Sequence, residues 1–350
     1  MKAILLAMDL WNEGPVLGEP LLERSVRMLA GAGVTQVVIV SPPGRETLPE
    51  GECRGVRILR RECEPELGTA GAVRCCAGLV GDGDFWVVDG KTVWLLDLKT
   101  VAELHRKRCG TVTAAFVRAM PRDRRPAIAC DRLGRVISFE ECPPPERCRS
   151  MAVYAGLMRC APAVFDRLPE RGRVEELFPA LMDHGRLWAA RVEGYCCRVE
   201  GWQDLLKCGI ELLSYGGDSR LDALRRRAGV YSAGPLPADM EFIPPCWVGE
   251  GVEIGRGSLI GPHAVLERGA LVGARSLVQR SLVDGAAVGG WSTLYGAVLC
   301  PGARTGLRCV LNEGVTVGEN STLPDGTLLE EGTGTESRAA GGNEKSLYFL

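Results

Sequence analysis

Residues 1–40, MKAILLAMDLWNEGPVLGEPLLERSVRMLAGAGVTQVVIV, decide the fold. An apolar run from Ala3 to Ala7 precedes a polar gap, a helix and a second apolar run from Val37 to Val40. Leu22, Val26 and Leu29 share one helical stripe, with Pro20 before it and glycines around Ala32 closing it. Strand, turn, helix and strand in so short a length form a βαβ unit, which predicts a parallel, doubly wound α/β sheet. Ligands of such sheets sit over the carboxyl ends of the strands, so residues 7–19, starting at Ala7, are the expected ligand loop.

At 350 residues the chain has room for two domains. A net charge of −2 offers no electrostatic case for binding nucleic acid or a membrane surface. No apolar segment is long enough to span a bilayer, and the N-terminus lacks a signal-peptide pattern, so a cytoplasmic protein is expected. The 15 cysteines are scattered, odd in number and never spaced as CxxC. Adjacent Cys75-Cys76 and Cys196-Cys197 do not form a structural zinc set by themselves, and reduced thiols are expected.

Further along, Leu67-Gly68-Thr69-Ala70-Gly71-Ala72-Val73 opens a helix with Val73, Ala77 and Val80 inward. Phe85 to Val88 is a buried strand, followed by Asp89-Gly90-Lys91. Residues 97–107 form a helix with Leu98, Val101, Ala102 and His105 on one stripe, which makes His105 a core or capping residue. Residues 111–117 form another strand, residues 202–213 a helix closing the domain, and residues 220–227 a short basic helix.

From Trp247 on, apolar residues recur every six positions: Val248, Ile254, Ile260, Leu266, Val272 and Val278. A one-residue slip near Leu282-Val283 restarts the series at Val288 and Leu294, and it reappears at Leu311, Val317, Leu323 and Leu329. Such a period is the mark of a parallel β-helix, in which one apolar residue per flat face points into the prism. Residues 216–245 are then a linker, 246–330 the β-helix, and 331–350 a flexible tail ending in Leu347-Tyr348-Phe349-Leu350.

The N-terminal residues 1–7 and 16–23, with the LGTAGA segment and the hexapeptide repeats, resemble the nucleotide-sugar pyrophosphorylases, or sugar-1-phosphate nucleotidyltransferases. The resemblance implies a Rossmann-like, GT-A-like nucleotidyltransferase domain over residues 1–215 and a left-handed β-helix, which in that family serves oligomerisation and regulation. It also implies that Ala7, Leu67, Gly68, Thr69, Ala70, Gly71, Asp89 and Gly90 lie on the nucleotide side. Lys91, Glu141, Ala155, Gly156 and Arg198 would then lie on the sugar and phosphate side. The plainer reading of Gly68 and Gly71 is tight helix–sheet packing.

Set against that family's pattern, the catalytic parts differ together. Residues 8–15, MDLWNEGP, replace a glycine-rich phosphate loop with its Arg and Lys, and Asp9 and Glu13 oppose a triphosphate there. Lys91 and Arg198 hold the places of the two metal-binding Asp residues, and a protonated lysine does not coordinate Mg²⁺. Asp89 is expected to point to the opposite face of its strand. Cys142 stands where the "EKP" Lys would be, and Tyr154 where the sugar-binding Asn would be.

Phosphoryl transfer rests on positioning and charge stabilisation, so the expected protein is catalytically inactive. It would bind a sugar nucleotide or sugar phosphate as a regulatory or scaffolding subunit, in a homo-oligomer or beside an active paralogue. One alternative is an active enzyme with a rebuilt site, the only reading that calls for Mg²⁺; otherwise no cofactor and no metal site is expected. Another is a purely structural assembly protein. His263 is the only His of the repeat region, and a turn role is preferred there to acyl-transfer chemistry.

Overall fold

The structure is a computed structural model, and it describes residues 1–8, 14–119, 125–140, 152–236, 240–330 and the backbone of 334–335. The chain divides into two compact units: residues 1–13 with 21–198, and residues 14–20 with 199 onward.

The first unit is built on the opening βαβ pattern. Strand Lys2–Leu6 lies in the middle of a mixed sheet, ten-stranded among the described residues, parallel to Gln36–Ser41 on one side and Phe85–Asp89 on the other. Val56–Glu62 extends it in parallel, and Ala152–Cys160 pairs antiparallel with Phe85–Asp89. Helices cover both faces, so the central strands read as continuous apolar runs rather than alternating ones. The two-residue side-chain period is visible in the packing. Ala3 and Leu5 join a core layer with Leu22, Val26 and Leu29 of helix Leu21–Gly31. Ile4 and Leu6 join the opposite layer with Val73, Phe178 and Leu181.

The expected helix after Leu67 is real but interrupted. Helix Gly68–Arg74 ends at Cys75, and a separate turn of helix spans Ala77–Val80. Ala77 is exposed and Cys76 takes the inward place instead. His105 is buried as expected, on helix Lys99–Arg108, with Nδ1 2.9 Å from Thr113 Oγ1.

The second unit is a prism of three parallel sheets. Val248, Leu266, Val283, Leu299 and Val317 stack in one row. Phe242, Ile260, Val278, Leu294, Leu311 and Leu329 stack in a second. Each row points one apolar side chain per coil into a continuous core. The rhythm shortens three times rather than once: strands Leu277–Gln279, Leu282–Val283 and Ala287–Val288 place Val278, Val283 and Val288 five positions apart, and Leu294 to Leu299 repeats the short step. The gap in the series before Leu311 is filled by Leu299 and by Thr305, whose buried hydroxyl accepts the Gly289 N–H at 2.9 Å.

Three expectations about the boundary differ from the structure. Residues 216–245 are not a bare linker: they carry strands Arg225–Arg227, Val230–Ser232 and Glu241–Phe242, of which the latter two begin the prism's stacked rows. The predicted basic helix is a short helix, Ser219–Ala223, followed by one of those strands. Helix Trp202–Tyr215 belongs to the second unit as well. The outward row Trp247, Val265, Leu282 and Val298 is buried, and this helix lies against it. Gly209 lets the helix approach, because a Cβ there would meet Val265 Cγ2 at 3.2 Å.

Residues 14–20 also pack within this unit, as a tight hairpin of Pro15–Val16 against Glu19–Pro20. The fully buried Glu267 carboxylate accepts the Gly18 N–H at 2.9 Å and Trp247 Nε1–H at 3.1 Å. Arg220 donates to the Leu17 carbonyl at 2.8 Å and lies over the Trp247 ring. No helix among the described residues is long and apolar enough to cross a membrane.

Candidate functional site

The carboxyl end of strand Phe85–Asp89 opens into a cavity of about 60 Å³ in the first unit. Leu6, Met8 and Val87 form its floor, and Thr69, Tyr154, Gly156 and Val174 its walls. Its charged residues are Asp89, Lys91, Arg173, Glu175 and Arg198. This is the place where doubly wound sheets bind ligands.

Local chain geometry brings these side chains together. Gly90 crosses closely over Leu6, donating its N–H to the Leu6 carbonyl at 2.8 Å, and a Cβ there would meet that oxygen at 2.6 Å. The turn lets the Lys91 N–H bond Asp89 Oδ1 at 3.0 Å. Across the cavity, the pairing of Ala152–Cys160 slips between Tyr154 and Met158, where Gly156 takes φ +74°. Such a bulge re-aims side chains, and it presents both Tyr154 and Gly156 to the cavity. Arg198 ends strand Gly194–Arg198, and its Nε lies 3.7 Å from Asp89 Oδ2.

The electrostatics are mixed, with cations prevailing. Burial raises the Glu175 carboxyl above its usual range, and nearby Asp89 adds to the rise while Arg173 and Arg198 oppose it. Arg173 Nε stands 3.5 Å from Glu175 Oε2. Burial also holds the Tyr154 hydroxyl well above its usual value, so it stays protonated as a donor. Its ring meets Phe178 edge-on at 5.5 Å.

Asp89 corrects the expectation that it turns away from Lys91. The strand ends at Asp89, and the turn through Gly90 brings Lys91 back beside it, so both line the cavity. This arrangement does not fit a magnesium ion: both carboxylates stand beside arginines. No group of three His, Cys, Asp or Glu able to hold a metal occurs among the described residues.

Of the nucleotide-side candidates, Thr69 and Asp89 line the cavity. Thr69 Oγ1 also accepts the Val174 N–H at 2.9 Å, fixing that wall. Gly68 and Gly71 instead serve packing: a Cβ on Gly68, at φ +62°, would strike the Gly172 carbonyl, and one on Gly71 would meet Leu67 Cβ at 2.5 Å. Ala70 bonds the Gly172 carbonyl at 3.0 Å. Ala7 lies in the core layer on the other face, its N–H on the Val40 carbonyl at 2.7 Å. Of the sugar-side candidates, Lys91, Gly156 and Arg198 line the cavity, whereas Ala155 is buried in that same opposite layer. Glu141, Cys142 and the loop residues Asp9 and Glu13 lie outside the described residues.

Sequence reasoning missed Arg173, Val174 and Glu175. Their one signal is the Arg-Val-Glu-Glu run, where Glu176 accepts the Arg173 N–H at 2.9 Å as in a capping box. That spacing marks a helix start and says nothing of a cavity.

The comparisons with known proteins agree with this fold. A family model described as nucleotidyl transferase matches residues 14–205. A mannose-1-phosphate guanylyltransferase of Mycobacterium tuberculosis is 28% identical over 263 residues, which cover 70% of each chain. A UTP–glucose-1-phosphate uridylyltransferase of Synechocystis is 24% identical over 290 residues, covering 72% of this chain and 73% of that one. Among solved structures, a putative glucose-1-phosphate thymidylyltransferase from Bacillus anthracis shares the fold, with TM-score 0.54 and 19% identity over 60% of this chain and 94% of that one. The resemblance read from the sequence is therefore borne out: with more than half of its length matched, this chain belongs to the nucleotidyl transferase family.

Proposed function

We propose that this protein binds a sugar phosphate or sugar nucleotide without turning it over, as a regulatory or scaffolding subunit of nucleotide-sugar metabolism. The observation that carries this reading is the Arg198–Asp89 pair beside Lys91. Fixed cations occupy the ground where a metal would neutralise a diphosphate, so a phosphate group is held by charge and hydrogen bonds alone. Family enzymes act by stabilising charge that develops in the transition state. A fixed cation that binds the ground state equally well gives affinity without rate. The cavity has room for a few waters or one phosphate-sized group, with the rest of the ligand extending outward. The protein partner in this reading is a second copy or an active paralogue.

A second reading has one observation in its favour. Asp89 lines the cavity next to Lys91 instead of turning away, so a rebuilt active site with Lys91 and Arg198 supplying the charge has a carboxylate at hand. Pyrophosphate release separates the two. Each nucleoside triphosphate is paired with glucose 1-phosphate and mannose 1-phosphate, with Mg²⁺ present. Release no faster than the protein-free control is expected; steady release with any pair overturns the inactive reading and supports the rebuilt enzyme.

A further inference from the structure

A second cavity lies in the first unit, lined by Phe116, Val117, Arg118, Ala152 and Arg191. Its volume is about 280 Å³, against about 60 Å³ for the cavity beside Asp89. Strand Val112–Arg118 and strand Leu187–Arg191 run parallel and both end here. Ala152–Cys160 pairs antiparallel with Val112–Arg118 and with Phe85–Asp89, so those two strands point the same way. The second cavity is therefore at the same carboxyl edge of the sheet as the first.

Strand register sets the two cavities side by side. Tyr154, a wall of the first cavity, is paired directly with Phe116 of the second, and both rings belong to one core layer. Paired residues on one face have Cβ atoms about 5 Å apart. Ala152 is two positions from Tyr154, about 7 Å along the strand, and Arg118 is its partner across the pair. Arg191 is paired with Phe116 on the other side. A chain of neighbours thus leads from the phosphate-sized space at Lys91 and Arg198, past Tyr154 and Phe116, to two arginines.

The charge of the second cavity differs from that of the first. Asp89 and Glu175 offset the cations of the first, whereas the residues lining the second include two arginines and no acid. Arg118 has no ion pair or side-chain hydrogen bond among the described residues. Arg191 Nε stands 3.6 Å from Glu193 Oε1, but the two side chains are 66% and 89% exposed, so the pair is weak and a ligand's anion can displace it.

We propose that the preferred ligand is a hexose 1-phosphate with a second anionic group, a carboxylate or a phosphate, at the far end of its ring. The inference rests on the phosphate-binding reading above. The anomeric phosphate takes the first cavity, with Lys91 and Arg198. The ring lies across Tyr154 and Phe116 into the larger cavity, and its second anion meets Arg118 and Arg191. An arginine's planar fork suits both carboxylate and phosphate oxygens, by two parallel N–H donations. A neutral hexose phosphate leaves both arginines unused.

The test is isothermal titration of the full-length protein in EDTA with glucose 1-phosphate, glucuronic acid 1-phosphate and glucose 1,6-bisphosphate. At least one of the two doubly anionic ligands should bind about tenfold or more tighter than glucose 1-phosphate, and the tighter of them identifies the group as carboxylate or phosphate. Arg118→Ala and Arg191→Ala should each remove most of that gain. Arg106→Ala, which removes an exposed arginine of helix Lys99–Arg108 outside both cavities, should keep it. Binding of glucose 1-phosphate as tight as that of the other two overturns this proposal and leaves the phosphate-binding reading in place. A gain that survives both Arg118→Ala and Arg191→Ala does the same. Failure of all three ligands to bind overturns both.

Discussion

Arg198 Nε lies 3.7 Å from Asp89 Oδ2, and the two side chains are each about a quarter exposed. A cation thus stands against the cavity's central carboxylate, on the strand end where the family resemblance places a metal-binding Asp. Exposure to solvent limits what the pair contributes to stability. Its weight is in ligand binding, where an arginine and a lysine converge on one phosphate-sized space.

Removing either cation should therefore weaken the ligand and spare the fold. A charge-assisted hydrogen bond is worth about 1.5–3 kcal/mol, so Lys91→Ala or Arg198→Ala should raise the Kd for a sugar phosphate by about ten- to a hundredfold. Isothermal titration measures the Kd, and the melting temperature of the free protein should change little.

Gly68 should be intolerant of a side chain for reasons of backbone alone. At φ +62°, with the Gly172 carbonyl against its Cα, Gly68→Ala meets both strain and collision. A loss of about 1–3 kcal/mol is expected, read from the urea midpoint of the first unit's transition. Gly78, around which a Cβ would meet nothing, is the control position.

Packing of helix Trp202–Tyr215 on the prism should depend on Gly209. Gly209→Val drives a branched side chain into Val265 and should cost about 1–3 kcal/mol, visible as a lower melting temperature of the second unit.

The second unit should lose stability as pH rises. Burial and Asp284 push the Glu267 carboxyl up to about 8, against the hydrogen bonds from Trp247, Gly18 and Leu17. Burial, with Glu319 nearby, raises Asp284 to about 6. Folded-state values above the unfolded ones mean that the folded form binds more protons. The stabilisation is full below the ordinary carboxylate range and declines until pH passes about 8. The slope is at most roughly 1.4 kcal/mol per pH unit for each group. Melting curves at pH 5 and pH 8.5 should show the decline, and Glu267→Gln should flatten it.

Much of this was legible in the sequence where a period carried it. The runs Ala3–Ala7 and Val37–Val40 declared parallel strands, and the six-residue rhythm declared the prism. The domain boundary was not legible, because the apolar stripe of residues 202–215 shows that the helix is covered on one side and does not say which surface covers it. Asp89 was misplaced because it was judged as a strand residue against the family's metal position, whereas a turn through Gly90 brings Lys91 back beside it. Arg173 and Glu175 were missed because their spacing with Glu176 marks only a helix start, and nothing local tells that they line the cavity.

The most direct test of metal-independent binding is a thermal-shift panel on the purified protein. Nucleoside triphosphates, sugar nucleotides and sugar phosphates are each tried with Mg²⁺ and with EDTA. A ligand at a hundredfold over its Kd adds about 2.7 kcal/mol, enough to move the melting temperature by several degrees. The expected result is an equal shift in Mg²⁺ and EDTA for a sugar nucleotide or sugar phosphate. A shift that appears only with a nucleoside triphosphate and Mg²⁺, or no shift with any of them, would contradict it.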